Sequence, residues 1–236
     1  MSPALSTNHV LRSLSEGDFA LLQPRLERVK LNFRDDLELP NQPIEYAYFP
    51  EDGIVSVIAH GGGSFVEVGI LGRDSFTAQP VVMGTDRSPS AAVVQVAGFA
   101  QRIRTEHFRH ALRQSATLHH SLLAVVQSFV VQASLTALAN GKSRIEDRMA
   151  RWLLMAHDRV QGDSLPLTHE VLANTLGVRR AGVTVGLQKL EAEGLISTKR
   201  KVIEIRDRRG LEVLAGEVYS IQTNEQRRLS AWKSTK

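Results

Sequence analysis

Apolar positions along residues 8–30 recur at helical spacing, with Leu14, Leu21, Leu22 and Leu26 on one stripe, and they predict a helix. From about Phe33 to Ile103 the period shortens to that of strands. β-rich runs at Ile44–Phe49, Gly53–Ala59, Phe65–Leu71, Ala92–Val96 and Ala100–Arg104 are separated by turn signals. These signals are Pro50-Glu51-Asp52-Gly53, Gly61-Gly62-Gly63 and Ala97-Gly98. Short strands with glycine-rich turns predict a small barrel or jelly roll. A long helix follows over roughly Thr105–Asn140. Within it Leu118, Leu122, Val125, Phe129, Gln132, Thr136 and Ala139 alternate steps of four and three, the spacing of a coiled-coil seam. Such a seam must be buried, either on the chain's own barrel or on a twin, and a long helix leaving a compact β unit favours the twin. Asn140-Gly141-Lys142 reads as the end of that helix and Ser143-Arg144-Ile145-Glu146 as a capping box that opens the next, so residues 140–143 are a candidate hinge.

The segment LTHEVLANTLGVRRAGVTVGLQKLEAEGLI, residues 167–196, holds the most specific pattern. Thr168 can cap a helix carrying Val171, Leu172 and Leu176. Gly177 permits a tight turn and Val178 plugs it. A second helix, about Arg179–Glu193, puts Val183, Leu187 and Leu190 on one face and Arg180, Thr184 and Gln188 on the other. Gly194 stops it, and Leu195–Ser197 and Val202–Ile205 read as paired strands joined by the basic tip Thr198-Lys199-Arg200-Lys201. Helix, turn, helix and basic hairpin together predict a winged helix-turn-helix within residues 143–215. An arginine-bearing polar face suits base edges in a major groove, and Lys199, Arg200 and Lys201 suit phosphates.

Charge is divided in the same sense. Residues 1–141 carry 11 Lys+Arg against 13 Asp+Glu, and residues 142–236 carry 18 against 12. The basic part coincides with the nucleic-acid motif. Hydrophobic residues make up 42% and charged residues 23% of the 236, a balance that supports a buried core. No unbroken apolar run approaches the ~18 residues needed to cross a bilayer, and MSPALSTNHVLRSL lacks the basic and apolar regions of an export signal. The expectation is a cytoplasmic protein without a membrane partner. Zero cysteines exclude disulfides, thiolate metal sites and cysteine-ligated iron–sulfur clusters. No His lies in a recognisable haem-ligand motif, and His119-His120 diverge on a helix, so no cofactor is expected.

Residues LTHEVLANTLGV (167–178), Arg180, Val183 and LEAEGLI (190–196), together with the order β unit, long helix, helix-turn-helix, resemble the Crp/Fnr transcription regulators over essentially the whole chain. The resemblance implies an α+β fold in a bacterial regulator. Residues 1–104 would form a cyclic-nucleotide-binding-like jelly roll, 105–142 a dimerisation helix and hinge, and 143–236 the winged helix-turn-helix. It implies a homodimer on a near-palindromic operator, with double-stranded DNA and RNA polymerase as partners. The DNA-contacting set is then Thr168, Arg179, Arg180, Ala181, Thr184, Val185, Gln188, Lys199, Arg200 and Lys201. Arg180, Ala181 and Val185 fall at base-contacting positions; family members often carry Glu and Arg at the last two, so this chain departs there. The dimer seam would be Leu118, Leu122, Val125 and Phe129.

The effector pocket departs further. In members that bind cyclic nucleotides, a Gly-Glu pair holds the ribose and an Arg in an Arg-Ser/Thr-Ala run holds the phosphate. Setting Phe76 before the pair puts Thr77 and Ala78 in it, and setting Ser90-Ala91-Ala92 on the run puts Ser90 where Arg should stand. A charge-assisted contact contributes more than the ~1 kcal/mol of a neutral hydrogen bond, so neither cAMP nor cGMP is expected to gate the chain unless Arg87 substitutes. The space left would be bordered by Phe76, Val81, Val82 and Val93 and take a less charged effector, or none. Arg73-Asp74 reads as a surface turn. Two other classes are weighed. An effector-independent regulator would be controlled by abundance or a protein partner. A cupin-like enzyme needs a His-x-His pair with a Glu, whereas His60 stands alone and Glu67 has no partner; no enzyme is expected.

Overall fold

The computed structural model describes residue 3 and residues 6–233. The expected N-terminal helix is two short ones. α1 (His9–Arg12) starts on Asn8, whose side-chain oxygen accepts the amides of Val10 and Leu11 at 3.0 and 3.1 Å. α2 (Glu16–Leu22) starts on Ser15, which accepts the Asp18 amide. A 3-10 turn with Pro24 ends the helical stretch, and β1 (Glu27–Leu31) takes residues that the apolar stripe gives to helix. Leu14 and Leu22 are buried as expected.

Two antiparallel sheets form the roll. One has the order β1, β7 (Gly98–Arg104), β3 (Tyr46–Pro50); the other has β2 (Asp36–Glu38), β6 (Ala91–Val96), β4 (Ile54–Gly61), β5 (Ser64–Leu71). The β4–β5 hairpin closes over Gly62-Gly63, both at positive φ, as the glycine run indicates. Gly53 also adopts a left-handed φ of 81°, and a Cβ there would lie 2.5 Å from the Val96 carbonyl oxygen. The roll is filled by Phe49, Phe76 and Phe108, with Phe49 and Phe76 stacked at 5.5 Å, a geometry that adds to simple area burial.

After the short helix α3 (Gln79–Val82) and β6–β7, the long helix divides into α4 (Thr105–Gln114) and α5 (Ala116–Lys142). Ser115 breaks it. Its backbone is extended, and its hydroxyl caps α5 through the Leu118 amide and donates to Asp18 of α2. α5 runs through Gly141 to Lys142, two residues beyond the expected stop. The cap of α6 (Ile145–His157) is shifted accordingly: Ser143 closes α5, and the Asp147 carboxylate accepts the Arg144 amide at 3.2 Å.

The seam residues face their own chain. Leu118, Leu122 and Val125 are buried in the roll core, and Phe129 packs on the neighbouring cluster of Val55, Leu71 and Val94. Gln132 joins α5 to β5, accepting the Ile70 amide at 2.6 Å and donating to its carbonyl at 3.2 Å. Gly69 allows this approach, because a Cβ there would meet Gln132 and Phe129 at 2.8 Å. By length and hydropathy α5 is long and apolar enough to cross a bilayer, contrary to the count of unbroken runs. Part of that apolar surface, Leu118, Leu122, Val125 and Val126, packs on the roll, and α5 also packs against α9 (Arg208–Lys233), while Leu123, Val130 and Leu138 stay exposed.

β8 (Ser164–Leu165), α7 (His169–Leu176), α8 (Arg180–Ala192), β9 (Ile196–Lys199) and β10 (Val202–Ile205) follow α6, with sheet order β8-β10-β9. α9, kinked at Gly216, has no counterpart in the sequence reading. The core of this region includes Trp152, Leu172, Val183, Leu187 and Leu190, and it continues into the roll through Ile54, Ile70 and Val96. Arg73-Asp74 forms the expected turn, but a half-buried one with partners in the C-terminal region. Asp74 accepts from Arg159 at 2.7 Å and from Gln226 at 2.8 Å, and Arg73 donates to the Arg159 carbonyl. The pair ties the roll to the C-terminal region.

Candidate nucleic-acid interface and the β-roll cavity

Thr168 starts α7 by accepting the Val171 amide at 3.1 Å. Gly177 ends it at φ 62°, ψ 37°, the left-handed conformation that costs a β-carbon residue energy. Val178 then packs against the core, as expected of a turn plug. α8 buries Val183, Leu187 and Leu190. Gly186 on the same face lets it approach α6, since a Cβ would stand 2.6 Å from the Met149 sulfur; the sequence pattern gives that glycine no role.

The opposite face of α8 is open to solvent. Arg180, Ala181, Val185 and Gln188 are exposed, and Arg179 is exposed at the N-cap position. Thr184 is half-buried and engaged: its hydroxyl donates to the Arg180 carbonyl at 3.1 Å and lies 3.0 Å from His169 Nδ1 of α7. It therefore braces the two helices rather than projecting freely. His169, which fixes this brace, is absent from the expected set, because a lone His beside a cap residue carries no sequence signal.

The basic hairpin is shorter than the four residues expected. Lys199 pairs with Val202, so Thr198 and Lys199 belong to β9 and the tip is Arg200-Lys201. Lys199, Arg200 and Lys201 are exposed, with Lys199 3.3 Å from Glu204. Glu191 at the end of α8 accepts both the amide and the hydroxyl of Thr198, at 2.7 and 2.9 Å, and these bonds hold its carboxyl below the usual range. They fix the hairpin relative to α8. Thr168, Arg180, Lys199, Arg200 and Lys201 border one groove of about 370 Å³. An exposed helix face beside a basic hairpin, with cations on both, is a geometry that can meet a duplex.

The six pocket candidates separate. Thr77, Ala78, Ser90 and Ala91 line a cavity of about 210 Å³ between β-roll and α5, with Leu71 and Phe129. Phe76, Val81 and Val82 are core residues instead, and Val93 borders a different cleft. Arg87 turns outward, pairs with Asp86 through two 3.0 Å contacts and does not line this cavity. Glu38 enters this cavity unannounced by the sequence. Its carboxylate accepts the Ala78 amide at 2.5 Å, and burial pushes its pKa up.

Another carboxylate, this one buried, joins the two regions. Glu67 on β5 accepts from Trp152 Nε1 of α6 at 2.6 Å and lies 2.5 Å from the Ser56 hydroxyl. Ser56 also contacts Gln95, which donates to Thr175 of α7 at 2.8 Å. Burial pushes the Glu67 pKa up to about 7. Glu67 thus sits at the centre of a hydrogen-bond network between roll and helix-turn-helix, with no His among these partners.

The family model for a Crp-like helix-turn-helix domain matches residues 147–214. Among solved structures, a putative transcriptional regulator of the Crp/Fnr family from Eubacterium rectale superposes with a TM-score of 0.67 at 17% identity, covering 89% of this chain and 98% of that one. FixK2 from Bradyrhizobium japonicum gives 0.65 at 16%, covering 80% and 96%. The c-di-GMP-responsive global regulator CLP of Xanthomonas campestris gives 0.62 at 20%, covering 81% and 99%. No curated protein matches the chain by sequence. The likeness expected from LTHEVLANTLGV and LEAEGLI is thus borne out in the domain and in the fold.

Proposed function

We propose that this chain, which carries a Crp-like helix-turn-helix domain on the fold of the Crp/Fnr transcription regulators, acts as a homodimer on a near-palindromic operator, is not gated by cAMP or cGMP, and works with RNA polymerase in the cytoplasm. The observation that carries the reading is the solvent-open face of α8, with Arg180, Ala181, Val185 and Gln188 standing beside exposed Lys199, Arg200 and Lys201. Arg180 and Gln188 are base readers, since both side chains can make paired hydrogen bonds to purines. The hairpin cations meet phosphates and carry no sequence information.

Dimerisation falls to a different stripe of α5 from the one read in the sequence. Leu123, Val130 and Leu138 are 38–48% exposed. Leu123, Gln127, Val130, Ser134 and Ala137 alternate steps of four and three, the spacing two parallel helices need. Indifference of the cavity to cyclic nucleotides is supported by its lining, which among the described residues holds no cation and includes the Glu38 carboxylate.

The test is a salt titration of duplex binding. Replacing Lys199, Arg200 and Lys201 together by Ala is expected to weaken binding to all sequences alike and to flatten the slope by about 0.9 log units for each phosphate no longer neutralised. A changed base preference with an unchanged slope would remove the hairpin from the phosphate role.

A further inference from the structure

The cavity between β-roll and α5 has an unusual charge inventory. Its walls are mostly apolar, with Leu71, Met83, Val126 and Phe129 among them, and Glu38 is its one charged lining residue among those described. The Glu38 carboxylate accepts the Ala78 amide and is hydrogen-bonded by Thr77. A carboxylate has room for about four such bonds, so acceptor capacity remains toward the cavity. Arg87 lies outside this lining and pairs with Asp86 on the surface. Glu38 is half-buried, and a partly desolvated carboxylate with no cation in its cavity gains from one that a ligand brings.

We propose that this cavity binds a small monocationic amine with an apolar body, its ammonium on Glu38 and its body against Leu71, Val126 and Phe129. Anionic ligands meet the Glu38 charge with no compensating group. The volume of about 210 Å³ lies below the roughly 300–1,000 Å³ of sites for drug-sized molecules, which fits an amine smaller than a nucleotide. An occupant touches Val126, Phe129 and Val130 on α5, and Val130 also lies on the outward stripe assigned to dimerisation. The proposal rests on the regulator reading for its consequence, whereas binding itself is measured without DNA.

The experiment is calorimetry on the full chain with benzylamine, phenethylamine and hexylamine, set against benzoate, phenylacetate, hexanoate and cAMP. At least one amine is expected to bind saturably, while the acids and cAMP give no binding. Glu38→Gln, which keeps an acceptor for the Ala78 amide, is expected to weaken that amine tenfold or more. Glu38→Asp, which keeps the charge but withdraws it by one methylene, is expected to fall between, with circular dichroism confirming both folds. Failure of all three amines, equal amine affinity in folded Glu38→Gln, or saturable binding of an acid or cAMP overturns the proposal. A duplex titration of the same wild-type sample separates the readings: DNA binding without amine binding removes only the amine site, and amine binding without DNA binding removes only the regulator.

Discussion

Glu67 shows how one residue can report on the joint between roll and helix-turn-helix. Ser56 has one hydroxyl proton and faces two acceptors, Glu67 Oε2 and Gln95 Oε1. A proton on Glu67 resolves the count: Glu67 donates to Ser56, Ser56 to Gln95, and Gln95 to Thr175. This agrees with a pKa raised from 4.5 to about 7 by burial, against the opposing pull of Ser56, Trp152 and Arg151. Arg148 and Arg151 of α6 share its small cavity, and Arg34 borders the adjoining cleft. The folded state holds this proton more tightly than the unfolded chain. The Glu67 contribution is therefore fully present below about pH 4.5 and is lost as pH rises through about 7. Denaturant melts between pH 5.5 and 8 are expected to show stability declining with pH, by on the order of 1–3 kcal/mol from this group. Glu67→Gln, which mimics the protonated acid, should flatten that decline and leave the variant the more stable at pH 8. An undiminished slope in Glu67→Gln would assign the decline to other groups. Nothing in the sequence near Glu67 announces this role, because its partners lie 11 to 85 positions away.

Elements are legible where one local signal decides them. The strand runs with their glycine turns, the Thr168 cap, Gly177 and the apolar face of α8 all stand where the pattern puts them. The departures share a cause: a period shows that a face is buried, not against what. Leu118, Leu122, Val125 and Phe129 have the spacing of a dimer seam, yet the roll covers them. The break at Ser115 is hidden because its cap depends on Asp18, 97 positions earlier. Glu38 is invisible for the same reason, its partner Ala78 being 40 positions on. On α5 the outward stripe is the one to test. Val130→Asp is expected to dissociate the proposed dimer while the fold persists, because two like charges would face each other across the seam without a cation. Phe129→Asp should instead destabilise the protomer, since Phe129 packs on the roll. Sedimentation combined with thermal melts distinguishes the two. A dimer unchanged by Val130→Asp would place the interface elsewhere.

The whole molecule joins the β-roll to a helix-turn-helix whose outer α8 face is exposed. Continuity of the core through Ile54, Ile70 and Val96, the Asp74–Arg159 pair with both side chains largely buried, and the Glu67–Trp152 bond join the two parts. The central claim is that α8 reads base sequence. Its most direct measurement is selection from a randomised duplex pool, run in parallel with wild type and Arg180→Ala. Wild type is expected to enrich two related half-sites about 10–10.5 base pairs apart, centre to centre. Arg180→Ala should keep weak, salt-sensitive binding but enrich no motif, since the guanidinium supplies about 1–3 kcal/mol of discrimination. A wild-type pool without enrichment, or the same motif recovered by Arg180→Ala, would contradict the claim.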